Sequence, residues 1–285
     1  MEQNLSNKKP LVSIITPTLN SEKFLEKTIK SIVNQDYGNI EHIIVDGGSS
    51  DNTIEILKEY EKKYNLRWIS KKDRGVAEAY DRGLKMAKGE IVGWCNSDDF
   101  YTEGAIKKIA KAFIENPDAD LVFGACQEFN YKTQQFSTIY KKNPSDFLNV
   151  TFEDISCGKK QLFQPSLFYS RRIIKKTGPL NTNYKFSAIE VDWWIRMLRN
   201  EARVIYLDEI LVIIGQHEQR ISIRYVTEGI KENIDFLKSQ GREIPIGMKI
   251  SYLRWKHPQA PNFIKKHCPF LFVIINKIIK IYENK

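Results

Sequence analysis

Nowhere in the chain does an apolar run approach the roughly 20 residues that a membrane-spanning helix requires. The most apolar stretch, 270–275, is far shorter, so an integral membrane protein is not expected. Cysteine is scarce and scattered. Cys95, Cys126, Cys157 and Cys268 form no close pair in the sequence, which argues against a zinc site or a disulfide framework and favours a reducing compartment. Residues 1–10 are polar with no apolar signal core, so they are expected to be disordered and export is not expected. Internal repeats and low-complexity tracts are missing. So is a Gly-x-Gly-x-x-Gly turn after the first strand, where Pro17-Thr18-Leu19-Asn20 stands instead; this counts against a dinucleotide-dependent oxidoreductase. Neither a basic recognition helix nor an aromatic ribonucleoprotein-like strand occurs, so the net charge of +9 is not expected to serve nucleic acid.

What is present is an ordinary globular composition, 42% hydrophobic and 28% charged, enough for a sizeable core in one large domain with or without an extension. The positive charge is uneven. From residue 249 onward Glu283 is the single acid. There Ile274, Ile275, Ile278, Ile279 and Tyr282 recur at helical spacing among Lys277, Lys280 and Lys285. This predicts a basic amphipathic helix, packed on the body or lying on a bilayer.

Short β-branched runs at 11–16, 41–46, 66–70 and 90–96 predict buried strands, and apolar residues at helical spacing fill the intervals between them. Asn20 or Ser21 could cap the first helix, and Ser50, Asp51 or Asn52 the second, with Glu55 three residues after Asn52 as in a capping box. A strand is expected at 121–126, then an antiparallel excursion at 127–142. Residues 143–157 receive no assignment. Extended segments follow at 164–169, 203–207 and 210–215, with helices over 102–113, 170–176, 188–199 and 225–239. Alternating strands and helices specify a mostly parallel sheet flanked by helices. Ligands collect beyond the carboxyl ends of such strands. Asp46, Asp73 and Asp98-Asp99 all fall at or just after strand ends, where carboxylates suit a hard divalent cation. Asp98-Asp99 alone would equally suit a polar turn before the next helix.

With these residues on the page, the sequence resembles the family 2 glycosyltransferases of the GT-A fold. The resemblance is carried by Val-Ser-Ile-Ile-Thr-Pro-Thr-Leu-Asn (12–20), Ile-Ile-Val-Asp-Gly-Gly-Ser-Ser-Asp-Asn-Thr (43–53), Asp-Arg-Gly-Val-Ala-Glu-Ala-Tyr-Asp-Arg-Gly (73–83) and Ala-Lys-Gly-Glu-Ile-Val-Gly-Trp-Cys-Asn-Ser-Asp-Asp (87–99). Gln164-Pro165-Ser166 and the run from Glu190 to Arg196 match later landmarks. The resemblance covers about 10–222. It implies a GT-A domain over 11–222, with a nucleotide-sugar-binding half at 11–126 and an acceptor half at 127–222, followed by a basic helical extension at 223–285.

The resemblance also implies roles. Thr16, Pro17, Thr18, Asn20, Asp46, Asp73, Arg74, Asn96 and Ser97 would bind the donor nucleotide. Asn96-Ser97-Asp98 occupies the place of an Asp-x-Asp motif with Asn first, so Asp98 would carry most of the metal, joined by Asp99 and His217; Arg220 would meet the diphosphate. The cofactor would be Mn2+ or Mg2+. Glu190 or Asp192 would be the general base, although both also suit the first turn of a helix, whose dipole favours acids. The expected activity is inverting transfer from a nucleotide-diphosphate sugar, UDP favoured, to a glycan or polyprenyl-diphosphate-linked acceptor in surface-polysaccharide biosynthesis. The expected location is cytoplasmic, with peripheral contact at the inner face of the plasma membrane. A non-catalytic basic nucleotide- or membrane-binding module is the alternative, and it leaves acids at three strand ends unexplained.

Overall fold

A computed structural model describes residues 9–144 and 150–244 apart from 152, 153, 156–159, 161 and 187, together with 248, 249, 252 and 256. Residues 1–8 of the expected disordered N-terminus and the basic amphipathic helix at 274–285 lie outside the described residues, as does most of the expected extension; Pro10, expected to be disordered, is buried and its carbonyl accepts from the Tyr37 hydroxyl. Among the described residues no helix is long and apolar enough to cross a membrane.

The first half is strand and helix in strict alternation. Strands β1 (Val12–Thr18), β2 (Ile40–Asp46), β3 (Leu66–Ser70) and β4 (Ile91–Trp94) are interleaved with helices α1 (Leu25–Val33), α2 (Thr53–Glu61) and α3 (Val76–Met86). Every residue of β1 and β4 is buried, as strands covered on both faces must be. In α1 the buried residues Leu25, Thr28, Ile29 and Ile32 trace one stripe at helical spacing. After β4 come β5 (Phe100–Tyr101), α4 (Ala105–Glu115), β6 (Leu121–Asn130) and β7 (Gln135–Tyr140). The chain continues through β8 (Phe168–Ser170), α5 (Arg171–Thr177), α6 (Ala188–Arg199), β9 (Val204–Gln216), α7 (Ile221–Arg224) and α8 (Val226–Ser239).

One sheet runs in the order β3-β2-β1-β4-β8-β6-β9-β5, with β7 paired to β6. β1 pairs in parallel with β2 and β4, and β2 with β3. The rest is mixed: β8 is antiparallel to β4 and β6, while β6 and β9 are parallel. Successive side chains of a strand point to opposite faces. Ile15, Ile43 and Val45 therefore join a core layer with α3, α6 and α8. Val12 and Ile14 point the other way, into a layer with α4, and Ile44 packs with α1 and α2.

Several local expectations change. The two strands expected at 203–207 and 210–215 are one strand, β9. Its exposed Asp208 and Glu209 sit where the register with β6 jumps from Gly124↔Leu207 to Ala125↔Ile210, a bulge that keeps both acids off the core. Residues 164–166 form a 3-10 turn before β8 instead of a strand. The first helix has no side-chain cap, and at the second the bond comes from Asp51 in place of an Asn52–Glu55 box. Asn20 has φ 50 and spends its Oδ1 on the Ser50 N–H, while α1 starts from Phe24. Asn52 donates both its N–H and its Nδ2 to Glu22, and it is Asp51 Oδ1 that accepts the Thr53 N–H.

Candidate active site

The strand order turns outward in both directions from β1 and β4, and their carboxyl ends open one cavity of about 540 Å3. Ser21, just past β1, and Ser97, just past β4, share a hydrogen bond of 2.8 Å across that seam. The cavity wall includes Pro17, Thr18, Asn20, Asp73, Asn96, Ser97, Asp98, Glu190, His217 and Arg220. These ten come from five separate segments, and all were expected site residues.

Asp98 and Asp99, adjacent in sequence, part company here. Asp98 faces the cavity. Its Oδ2 lies 2.9 Å from His217 Nε2 and 3.8 Å from Arg220 Nε. The His217 ring stacks on Phe24 at 4.0 Å between centroids, and the Tyr131 hydroxyl donates to the Asp98 carbonyl at 3.1 Å. Asp99 is fully buried: Oδ1 accepts the Gly215 N–H at 3.0 Å and Oδ2 accepts Asn96 Nδ2 at 2.9 Å. Burial, with the Asp98 charge beside it, pushes the Asp99 carboxyl up. The structure thus gives Asn at position 96 a physical reason. Its Nδ2 donates to a buried carboxylate, its Oδ1 accepts from the Tyr80 hydroxyl at 2.6 Å, and an acid there would set a second carboxyl against Asp99 in place of that donor.

Among the described residues no three His, Cys, Asp or Glu side chains gather around one point. Asp98 and His217 nevertheless have the spacing of a pair of cation ligands. Two donors at about 2.1 Å from an octahedral ion, set at right angles, lie about 3 Å apart. That is close to the separation Asp98 Oδ2 and His217 Nε2 already have. The rest of such a shell would have to come from phosphate oxygens and water. Asp99 stands behind this pair, with both oxygens already engaged.

Glu190, in the first turn of α6, lines the cavity, and burial pushes its carboxyl up to about 7, with Glu232 adding a smaller upward push. Asp192 is turned away from the cavity wall: its Oδ2 accepts from Arg196 Nε at 3.0 Å. Three expected nucleotide residues also lie off the wall. Thr16 is buried and bonds His42 Nε2 at 2.9 Å; His42 is itself held neutral, its burial lowering it to about 3. Asp46 is buried and accepts from the Gly48 and Ser49 N–H groups and from the Ser70 hydroxyl, tying the turn after β2 to the end of β3. Arg74 is exposed and pairs with Glu78 at 3.1 Å. Asp73 does reach the cavity; its Oδ1 accepts the Gly75 N–H, and burial raises its carboxyl.

The sequence did not single out Phe24, Tyr80 or Tyr131 as site residues, nor the far wall formed by Tyr225, Val226 and Ile230. Each carries an ordinary core signal at its own position. Gln164 was visible only as a motif landmark; it lines the cavity with its Oε1 3.4 Å from Asn96 Nδ2.

Comparison with known proteins places this cavity in context. The sequence profile described as Glycosyl transferase family 2 matches residues 13–185. A PGL/p-HBAD biosynthesis glycosyltransferase of Mycobacterium bovis is 29% identical over 206 residues, which is 71% of this chain and 75% of that protein. The structure of S. aureus TarS 1-349 in complex with UDP-GlcNAc aligns with a TM-score of 0.62 at 21% identity, over 90% of this chain and 79% of that one. A mannosyltransferase from Pyrobaculum calidifontis, in complex with GDP-Man and Mn2+, aligns with a TM-score of 0.63 at 15% identity, over 98% and 89%. The fold is of the GT-A type.

Proposed function

The chain belongs to glycosyl transferase family 2, and from that membership we propose that it is an inverting enzyme moving a sugar from a nucleoside-diphosphate donor, a UDP-sugar by preference, to a hydroxyl of a glycan or lipid-linked acceptor in surface-polysaccharide biosynthesis. One observation carries the reading: a single cavity holds both the Asp98–His217–Arg220 cluster and the raised carboxyl of Glu190. Transfer of a glycosyl group needs stabilisation of the charge that develops on the leaving diphosphate, and a base for the acceptor proton. The two groups of residues match those two needs. A neighbour bound to UDP-GlcNAc supports the choice of donor.

In this reading Pro17, Thr18, Asn20 and Asp73 form the nucleotide end of the cavity, and Asp46 holds its floor in shape. Arg220 offers a permanent positive charge to the diphosphate. Asp98 and His217 would hold Mn2+ or Mg2+, which when bound neutralises charge on the phosphates. Tyr131 holds the Asp98 backbone carbonyl and Phe24 stacks on the His217 ring. Glu190 takes the acceptor hydroxyl's proton. A carboxyl raised to about 7 still ionises near neutral pH and binds a proton far better than an exposed one.

The test is calorimetry of UDP, GDP and dTDP, each with and without Mn2+, on the wild type and on Asp98→Ala. One nucleotide is expected to bind with Mn2+ and to lose at least tenfold in affinity in the variant. If no nucleotide binds, or if Asp98→Ala binds as the wild type does, the reading fails.

A further inference from the structure

We infer that Glu232, on α8, is the positioning residue for the proposed base: it clamps the backbone that opens α6 and thereby fixes where Glu190 stands in the cavity. The inference rests on the reading of Glu190 as base. Glu232 Oε1 accepts the Lys185 N–H at 2.6 Å, and its Oε2 accepts the N–H groups of Phe186 and Ala188, each at 3.0 Å. Ala188 is the first residue of α6 and Glu190 the third. The first N–H groups of a helix have no partner within it and mark the positive end of its dipole. Here a carboxylate from a different helix, more than 40 residues along the chain, satisfies one of them together with two N–H groups of the entering loop.

The clamp is itself anchored. Phe236 and Leu237 of α8 are buried in the same core layer as Trp193 and Met197 of α6, and Tyr184 meets the Phe236 ring edge-on at 5.9 Å. Both helices lie beyond residue 185, where the family profile ends. Glu232 also acts on Glu190 by charge. The titratable groups that face Glu190 are Tyr80 of α3, Tyr169 of β8 and Glu232 of α8. Burial keeps both tyrosines neutral, which leaves Glu232 as the carboxylate among them.

The experiment follows Glu190 directly, by carbon-13 NMR of the full chain labelled at glutamate side-chain carboxyls, with the signal assigned through Glu190→Gln. In Glu232→Gln the Glu190 midpoint is expected to fall by roughly half a pH unit. The Lys185, Phe186 and Ala188 amides should exchange about tenfold faster. With a donor that is turned over, kcat should fall while donor KM and UDP affinity hold. Glu232→Asp, which keeps the charge at shorter reach, should restore the midpoint without restoring amide protection. Glu228→Gln makes the same charge change at an exposed position one turn before Glu232 and should move none of these. An unmoved midpoint and unmoved exchange in Glu232→Gln would overturn the inference. So would equal shifts in Glu228→Gln, or loss of UDP affinity in step with kcat. If the wild type turns over no donor, the transferase reading falls instead, while the midpoint and the exchange rates still decide whether Glu232 is the clamp.

Discussion

Gly215 offers the sharpest handle on the Asp98–Asp99 arrangement. It lies near the end of β9, where its N–H bonds the Asp99 carboxylate and its Cα passes directly under the Asp98 peptide. A Cβ at this position would stand 2.0 Å from the Asp98 carbonyl oxygen and 2.4 Å from Tyr131 Cε2. An ordinary contact starts at about 3.4 Å, so Gly215→Ala must move the Asp98 carbonyl or β9 by roughly 1.4 Å. Overpacking of that kind costs about 1–3 kcal/mol of stability. The larger effect is on the site, because the displaced groups are the ones that hold Asp98. A displacement of about 1 Å in a catalytic constellation can cost about 100-fold in rate. Gly124→Ala is the matched control: its Cβ would stand 2.6 Å from Leu211 Cδ1, a comparable squeeze at a position that does not line the cavity. Urea unfolding, Mn2+-dependent UDP binding and turnover would be measured for both. Both variants should lose stability, and Gly215→Ala alone should lose Mn2+-dependent binding and kcat. If Gly215→Ala loses only stability, as the control does, then Asp98 is not held in place by this contact and the reasoning is refuted.

Three further variants have expected outcomes. Glu190→Gln should keep UDP affinity and lose about 10²–10⁴-fold in turnover, and the wild-type rate should rise with pH around a midpoint near 7, since the base works ionised. The same group should leave a mark on stability. Its folded value lies above its unfolded one, so wild-type stability falls as pH rises from about 4.5 to about 7, and Glu190→Gln should gain on the wild type over that window by on the order of 2–3 kcal/mol, read from urea unfolding at pH 5 and pH 8. Asn96→Asp should cost about 1–3 kcal/mol at neutral pH by exchanging a donor to buried Asp99 for a second carboxylate, and the loss should shrink as pH falls and a proton returns to the pair; denaturation across pH 4–8 checks it. Glu41→Gln should destabilise the chain by about 1–3 kcal/mol without altering UDP binding, because the buried Glu41 carboxylate joins Ser13 of β1, Arg67 of β3 and the Gly89 N–H far from the cavity.

The first half of the fold was legible because its signals are local. A β-branched run, a turn and an apolar helical stripe lie next to one another along the chain, and four such units in a row admit one arrangement, a parallel sheet covered on both faces. Beyond residue 121 this locality fades. β6, β8 and β9 pair across gaps of dozens of residues, and the bulge that joins 203–207 to 210–215 depends on β6 as the partner strand. Two of the expected cap residues failed for a related reason. Asn20 and Asn52 have the right side chains, but each found a tertiary partner in place of its own helix.

At the site, sequence alone determined which residue types stand at the strand ends, because their chemistry is carried in contiguous motifs: Pro17 to Asn20, Asp73, and Asn96 to Asp99. It placed Glu190 and Asp192 together as candidates and could not separate them. The tertiary structure decided which oxygen atoms face the cavity. It turned Asp98 toward His217 and Arg220 and buried Asp99 against Gly215. It set Glu190 in the cavity wall and gave Asp192 to Arg196. It also brought Glu232 to the start of α6. Neighbours in sequence differ here because a side chain's direction and burial follow from what packs against it, and those partners come from segments that no local pattern links.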